Sequence, residues 1–145
     1  MNHHPFALSD LPIPADPPFA PTVKAGALVC FEGRVRDNNH GKTVSRLAYS
    51  AYAALAEREG DRIVAEAVAR FGLLWAACVH RIGALLPGET AVRAWAVSAH
   101  RQAAFLACAF IIDEVKARVP IWKHETYADG REEWVGCDHA HGESH

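Results

Sequence analysis

The chain has 145 residues, the size of one ordinary domain. Half of the residues are hydrophobic and 22% are charged, which supports a folded core and excludes an intrinsically disordered chain. A chain of this length buries roughly 68–70% of the surface of its unfolded form, so it needs neither a disulfide nor a metal to fold. The formal net charge of −2 excludes an overall basic field and predicts no nucleic-acid partner.

The cysteines and the apolar runs predict the cellular compartment. Three of the four cysteines, Cys30, Cys78 and Cys108, lie among apolar residues, and the spacings are long and irregular. This pattern favours buried, unreactive thiols in a reducing compartment over a disulfide framework. The sequence contains no signal-peptide pattern and no run of the roughly 18–20 apolar residues that span a membrane. We therefore expect a cytoplasmic protein without a membrane partner.

The two ends of the chain differ from its centre. Residues 1–24 are rich in proline and aperiodic, which predicts an irregular arm. Residues 136–145 form a His-rich segment that we expect to be a flexible tail. Its histidines are of a type that binds metals, but a flexible tail is not a preorganised site, so we expect no metal. Residues 25–135 are expected to form one domain.

The first elements predicted in that domain are a hairpin. Gly26–Arg36 is rich in β-forming residues and predicts a strand. Asp37–Lys42 is a dense turn signal, in which Gly41 is suited to a positive φ. Thr43–Tyr49 predicts the returning strand.

A helix is predicted next, over Tyr52–Phe71, with Gly72 as its C-cap. Two strands follow it, Leu73–Arg81 and Thr90–Ser98, joined by a turn at Pro87-Gly88. The residues expected on the buried face of the helix are Leu55, Ile63, Ala67 and Phe71.

The last predicted elements are a second helix and a hairpin. Arg101–Arg118 has helical periodicity, Ser98 is expected to cap it, and Pro120 ends it. Ile121–Tyr127 and Glu132–Val135 form a hairpin around an Asp-Gly turn. The predicted apolar stripe of the helix is Ala104, Cys108, Ile111, Ile112, Val115 and Val119. The order β-β-α-β-β-α-β-β predicts a two-layer α+β fold with a largely antiparallel sheet.

Cationic side chains at the ends of these elements are the strongest functional signal. Arg34 and Arg36 end the first strand, and His100-Arg101 opens the second helix, where the dipole favours an anion. Lys116 lies near the end of that helix, and Lys123 follows Trp122. Each cation has a simpler interpretation as a solvated surface charge, and Lys123 as the ion-pair partner of Glu125 on one face of a strand. The residues alone leave these alternatives open.

Five sequence blocks follow one another in the chain: GALVCFEGRVRDNNHGKTVSRLAYSAY, HRIGALLPGE, VSAHRQAAFLAC, EVKARVPIWKHE and DGREEWV. In order and in approximate spacing, they resemble the catalytic (large) subunit family of molybdopterin synthase. The resemblance covers about residues 25–135. Ser50 stands where the family more often has an acidic residue, and Leu55 where methionine is common.

The resemblance implies an α/β hammerhead-like fold and a sulfurtransferase that acts in molybdenum cofactor biosynthesis. It implies that a small ubiquitin-like carrier subunit delivers sulfur from a C-terminal Gly-Gly thiocarboxylate. Two deliveries convert cyclic pyranopterin monophosphate into the dithiolene of molybdopterin. The resemblance implies a homodimer of large subunits that carries one small subunit at each end, which makes a heterotetramer. It also implies that neither a redox cofactor nor a metal is required.

Site residues follow from the same resemblance. It implies that Lys116 is the residue most directly involved in catalysis and that Lys123 supports it. The implied substrate-binding positions are Arg34, Val35, Arg36, His100, Arg101, Lys116, Lys123, His124 and Glu125.

The predicted geometry of the second helix adds a constraint. Arg101 and Lys116 are 15 positions apart on it, which is about 22 Å along a helix axis. One small substrate cannot readily contact both on one chain. We therefore predict a site shared across the homodimer. The alternative function is a non-catalytic module that binds a phosphorylated ligand or an acidic peptide tail through the same cations.

Overall fold

The structure is a computed structural model, and it describes residues 5–19 and 22–135. The predicted tail, residues 136–145, lies outside the described residues. The elements in chain order are β1 (Phe6–Ser9), β2 (Ala27–Arg34), β3 (Asn38–Asn39), β4 (Lys42–Ala51), α1 (Ala53–Phe71), β5 (Trp75–Arg81), β6 (Gly83–Leu85), β7 (Thr90–Ser98), α2 (Arg101–Arg118), β8 (Ile121–Tyr127) and β9 (Glu132–Val135).

The strands form two sheets beside the two helices. The first sheet has the order β1-β5-β7-β2, in which only the β1–β5 pair is parallel. The second has the order β3-β4-β8-β9, and β6 also pairs with β4. Both helices pack on the first sheet and enclose the main hydrophobic core with it. The predicted α+β class and the antiparallel character are confirmed, but two sheets replace the single sheet that we expected.

Strand β1 lies in the segment predicted to be irregular. It runs parallel to β5, and the Phe6 side chain is fully buried in the main core. Gly60 of α1 makes room for this ring, because a Cβ at that position would lie 2.1 Å from the Phe6 Cγ atom. The prediction of an irregular arm is therefore wrong over Phe6–Ser9, where pairing with a distant strand decides the conformation.

Helix α1 confirms the predicted boundaries but not the whole predicted face. Ile63 and Ala67 are buried, whereas Leu55 is 48% exposed, so its predicted burial is wrong. The buried side is shifted around the helix axis toward β1. It consists of Ala56, Gly60, Ile63, Val64 and Ala67. Gly72 ends the helix in the left-handed conformation, as predicted.

Helix α2 has the predicted boundaries, and all six residues of its predicted stripe are buried. Ser98 does not cap it. The Ser98 hydroxyl donates to the carbonyl oxygen of His100, which is the residue at the N-cap position. Arg118 in the last turn joins the two helices, because its guanidinium donates to Glu59 and Glu66 of α1 and to Glu114 of α2.

The central part of the second sheet begins directly after α2. Val119 and Pro120 join α2 to β8, which pairs with β4 on one side and with β9 on the other. The β8–β9 hairpin has the predicted boundaries. Cys78 and Cys108 are buried free thiols, as expected, whereas the expected burial of Cys30 is wrong because it lies exposed on edge strand β2.

Candidate active site

Lys116 and Lys123 come close to each other where α2 ends and β8 begins. Lys116 is an exposed residue of the last turn of α2, and the surrounding protein still removes enough water from its ammonium group to lower its pKa. The positive charges of Lys123 and Arg36 lower this pKa further, and Asp113 acts in the opposite direction. Two lysines and one arginine from separate elements therefore lie close enough for their charges to interact.

Lys123 is held by a buried carboxylate. Its Nζ atom lies 3.6 Å from Oε2 of Glu125, which is only 3% exposed. Glu125 also accepts hydrogen bonds from the Asn39 side chain at 2.7 Å and from the Tyr127 hydroxyl at 2.8 Å. The negative charge of Glu125 is thus satisfied within the protein, and we assign it to positioning Lys123.

His124 lies on the opposite face of β8. Successive side chains of a strand point to opposite faces, so His124 points away from Lys123 and Glu125. Its ring packs against Trp134 with centroids 4.7 Å apart, and its Nε2 atom is 3.2 Å from a carboxylate oxygen of Glu132. The structure therefore separates His124 from the lysines of the same chain.

Arg34, Val35 and Arg36 have three different environments. Arg34 donates to the carbonyl oxygen of Gly88 through two guanidinium nitrogens, at 2.7 and 3.2 Å. Val35 is buried in a second small core, and its backbone pairs with Glu89 and Gly88. Arg36 is exposed, and its charge acts on Lys116. Within this trio, Arg36 is the residue whose side chain belongs to the lysine cluster.

His100 and Arg101 lie at the other end of α2. Both are exposed at its N-terminus. The 18-residue helix separates them from Lys116 by about 22 Å along its axis. One chain therefore has two cationic patches, one at each end of α2, and the predicted cluster is not complete within it.

Two residues that we did not predict border the lysine cluster. His80 is the second-to-last residue of β5, and the charges of Lys116 and Lys123 both act on it. Tyr49 of β4 is in register with Lys123 and contacts the His80 ring edge-on, with centroids 4.9 Å apart. Burial, followed by the charge of Glu125, raises the pKa of Tyr49 to about 12. The signal in the sequence was His80 itself, the first residue of the block HRIGALLPGE.

The described part of the chain holds no group of three or more His, Cys, Asp or Glu side chains arranged to bind a metal. Over the same residues, neither helix is long and apolar enough to cross a membrane.

Comparisons with known proteins identify the family. The family model described as MoaE protein matches residues 9–118. The molybdopterin synthase catalytic subunit of Pyrococcus abyssi is 46% identical over 113 residues, which cover 78% of this chain and 76% of the relative. The subunit of the same name from Pseudomonas aeruginosa is 46% identical over 116 residues, which cover 80% of this chain and 77% of the relative.

A solved structure agrees with the sequence relatives. The crystal structure of molybdopterin synthase from Staphylococcus aureus superposes with a TM-score of 0.86 at 33% identity, covering 93% of this chain and 99% of that chain. The fold, the family model and the relatives agree, and this chain belongs to the MoaE family.

Proposed function

We propose that this chain is the catalytic subunit of a molybdopterin synthase. The observation that carries the proposal is the convergence of Lys116, Lys123 and Arg36 from α2, β8 and the segment after β2, in a chain of the MoaE family. The substrate is cyclic pyranopterin monophosphate, and the sulfur donor is the C-terminal thiocarboxylate of a small carrier subunit. Both are anions, which a cationic pocket attracts and brings together.

Each sulfur delivery has a simple balance. The thiocarboxylate sulfur forms a bond to a substrate carbon, and an oxygen substituent leaves that carbon. Water then attacks the carrier acyl group, the acyl–sulfur bond breaks, and the carrier terminus becomes a carboxylate. Two such deliveries give a dithiolene, and the steps use no oxidant or reductant.

Lys116 acts on the charge that develops during these steps. Its lowered pKa eases proton release, and its protonated form donates to the oxyanion that forms at the carrier acyl carbon. Lys123, fixed by Glu125, stabilises the same negative charge from the second sheet. Arg36 offers a fork of donors that suits the cyclic phosphate.

A second copy of the chain completes the site in this proposal. His100 and Arg101 are too far from Lys116 on one helix to share a small substrate with it. In a homodimer, the N-terminus of α2 from one copy faces the lysine cluster of the other and adds phosphate-binding donors. With one carrier at each end, the assembly is a heterotetramer, and the free thiols of Cys78 and Cys108 fit a reducing cytoplasm.

Sulfur transfer from a thiocarboxylated carrier tests the proposal. The wild-type chain should convert the cyclic pyranopterin to molybdopterin, and Lys116→Ala should lower the rate at least about 100-fold, as loss of a charge-stabilising donor does. Lys24→Ala is the matched control, because Lys24 is an exposed lysine ahead of β2. Calorimetry measures substrate binding in parallel. Wild-type binding without product would establish the alternative, a binding module.

A further inference from the structure

His80 lies at the edge of the lysine cluster, on the face of the first sheet that carries the helices. Cys78, two residues earlier on the same face of β5, is fully buried in the main core. His80 is the last residue of β5 paired on both sides, with Leu8 of β1 and Val92 of β7. Its backbone is therefore fixed by two neighbours, and its side chain is only partly buried.

The orientation of the ring determines which nitrogen carries the proton. Nδ1 lies 2.7 Å from the carbonyl oxygen of Arg81. A carbonyl oxygen only accepts, so Nδ1 donates, and in the neutral imidazole Nε2 then keeps its lone pair. The edge-on contact with Tyr49 supports the ring from the side of the second sheet. His80 is thus held in one tautomer, with Nε2 as a hydrogen-bond acceptor.

The surroundings keep this acceptor available at neutral pH. Burial lowers the pKa of His80 to about 4, and the charges of Lys116 and Lys123 contribute in the same direction, Lys116 more strongly. The hydrogen bond to Arg81 opposes this shift without overcoming it. The imidazole therefore stays neutral beside two ammonium groups.

The side chains that carry the cluster's charge do not supply a neutral acceptor. Lys116, Lys123 and Arg36 are donors only. The Glu125 carboxylate already faces Asn39, Tyr127 and Lys123. A ligand that combines an anionic group with N–H or O–H groups would use both the cationic donors and this neutral acceptor.

We propose that His80 is a substrate-binding residue whose Nε2 accepts a hydrogen bond from an N–H donor of the bound substrate. The proposal rests on the proposed function, in which the substrate combines an anionic phosphate with a pterin ring that bears N–H groups. The cations bind the anionic end of this substrate, and His80 binds a donor of its heterocycle. Such an acceptor discriminates against phosphorylated compounds that have no donor at that position.

The first test uses the free chain and does not depend on sulfur transfer. Nitrogen-15 NMR of the imidazole rings at pH 7 should show Nδ1 protonated and Nε2 unprotonated in His80. Lys116→Met should raise the pKa of His80, because it removes the stronger of the two neighbouring charges. A proton on Nε2 at pH 7 would overturn the proposal even if the enzyme proves fully active.

The second test separates the acceptor from the shape of the ring. His80→Leu removes the acceptor, whereas His80→Gln retains one at a similar distance from the backbone. We expect His80→Leu to raise the KM for the cyclic pyranopterin roughly tenfold with a smaller change in kcat, and His80→Gln to restore most of the loss. Thermal melting confirms that both variants fold.

Sulfate serves as a control ligand, because it is an anion without a hydrogen-bond donor. Its affinity, measured by chemical-shift titration, should be the same in the wild type and in His80→Leu. Equal KM values for wild type and a folded His80→Leu chain would refute the role of His80. A parallel loss of sulfate and substrate binding would also refute it, since the damage would then lie in the cation cluster.

Discussion

Nζ of Lys123 and Oε2 of Glu125 lie 3.6 Å apart on one face of β8, and the carboxylate is almost completely buried. A buried carboxylate that receives two further hydrogen bonds is a fixed negative charge rather than a mobile surface group. Lys123 therefore has a defined position and a counter-charge. The pKa of Lys116 is lowered, because the negative charge of Asp113 does not offset the loss of water and the charges of Lys123 and Arg36. The two lysines are chemically distinct despite their proximity.

The first prediction concerns this carboxylate. Glu125→Gln should reduce the rate of sulfur transfer about 10- to 100-fold, because the Lys123 ammonium loses the counter-charge that holds it in place. It should also lower the free energy of unfolding by about 1–3 kcal/mol, because Asn39 and Tyr127 lose a charged acceptor. Chemical denaturation and a rate assay measure both effects.

Glu133→Gln is the matched control for that substitution. Glu133 is an exposed neighbour on β9 and approaches the Tyr127 hydroxyl at 3.3 Å. Its free energy of unfolding should change by about 0.5 kcal/mol or less, as is usual for surface substitutions. Its sulfur-transfer rate should stay within a factor of about 2 of the wild-type rate. If Glu125→Gln and Glu133→Gln behave alike, Glu125 has no special part in positioning Lys123.

Sequence periodicity predicted the helices better than it predicted the pairing of short strands. The bounds of α2 and its apolar stripe follow from local spacing, and so does the Asp-Gly turn before β9. Strand β1 is only four residues long and its partner β5 is about 70 positions away, so no local pattern reveals it. The N-terminal segment thereby contributes Phe6 to the main core.

The candidate site shows a similar division. The chemistry of an anionic substrate pointed to Lys116, Lys123 and Arg36, which lie in different elements. It could not give the distances between these three side chains. Strand alternation within the block WKHE already places His124 opposite Lys123, a consequence that we did not draw from the sequence. His80 reaches the cluster only because two sheets meet, and this arrangement cannot be inferred from one strand.

A second prediction tests whether two copies share one site. Arg101→Ala and Lys116→Ala chains should each be inactive or nearly so when alone. Mixed and allowed to exchange subunits, they should regain up to about one quarter of wild-type activity. Random pairing makes half of the dimers mixed, and each mixed dimer has one intact site and one doubly altered site. The rate of sulfur transfer measures the recovery.

Two further mixtures show which residues belong to the same half of the shared site. A mixture of Arg101→Ala with Arg36→Ala should behave in the same way, because Arg36 acts at the lysine end. A mixture of Lys116→Ala with Arg36→Ala should remain inactive, since both changes then affect the same half of the site. Verified subunit exchange with no recovery in the first two mixtures would show that each chain carries its own complete site.

The third prediction follows from the pKa of His80. Burial and the charges of Lys116 and Lys123 place it near 4 in the folded chain, below the value of about 6.5 for an unfolded histidine. Between pH 4 and 6.5, the unfolded chain binds a proton at His80 that the folded chain does not bind. The free energy of unfolding therefore rises with pH over this interval and falls as the pH is lowered. The loss attributable to His80 is at most about 3 kcal/mol.

Replacing His80 should make the free energy of unfolding less dependent on pH in this acidic interval. In His80→Gln, the decrease in the free energy of unfolding between pH 6.5 and 4 should be smaller than in wild type, as measured by urea denaturation at fixed salt. His124→Gln is a suitable control, because His124 is paired with the exposed Glu132 on the other face of β8. If this decrease is the same in His80→Gln and in wild type, the pKa of His80 is not lowered in the folded chain.

The last prediction tests the packing of β1 against α1. Gly60→Ala adds a methyl group that would lie 2.1 Å from the Phe6 Cγ atom, so the ring or the helix must move. We expect a loss of about 1–3 kcal/mol in the free energy of unfolding, although alanine favours a helix interior over glycine by about 1 kcal/mol. Phe6→Leu alone should also destabilise the chain, because it shortens a fully buried side chain.

The double variant Phe6→Leu/Gly60→Ala separates this contact from a general effect on the helix. If the methyl group and the ring compete for one space, the two losses should not add, and the double variant should be more stable than the sum of the single effects by about 0.5–3 kcal/mol. Additive losses would place Phe6 away from Gly60 in solution and would remove β1 from the core. Because β1 also flanks His80 through Leu8, the same cycle measured on substrate binding reports whether that strand supports the site.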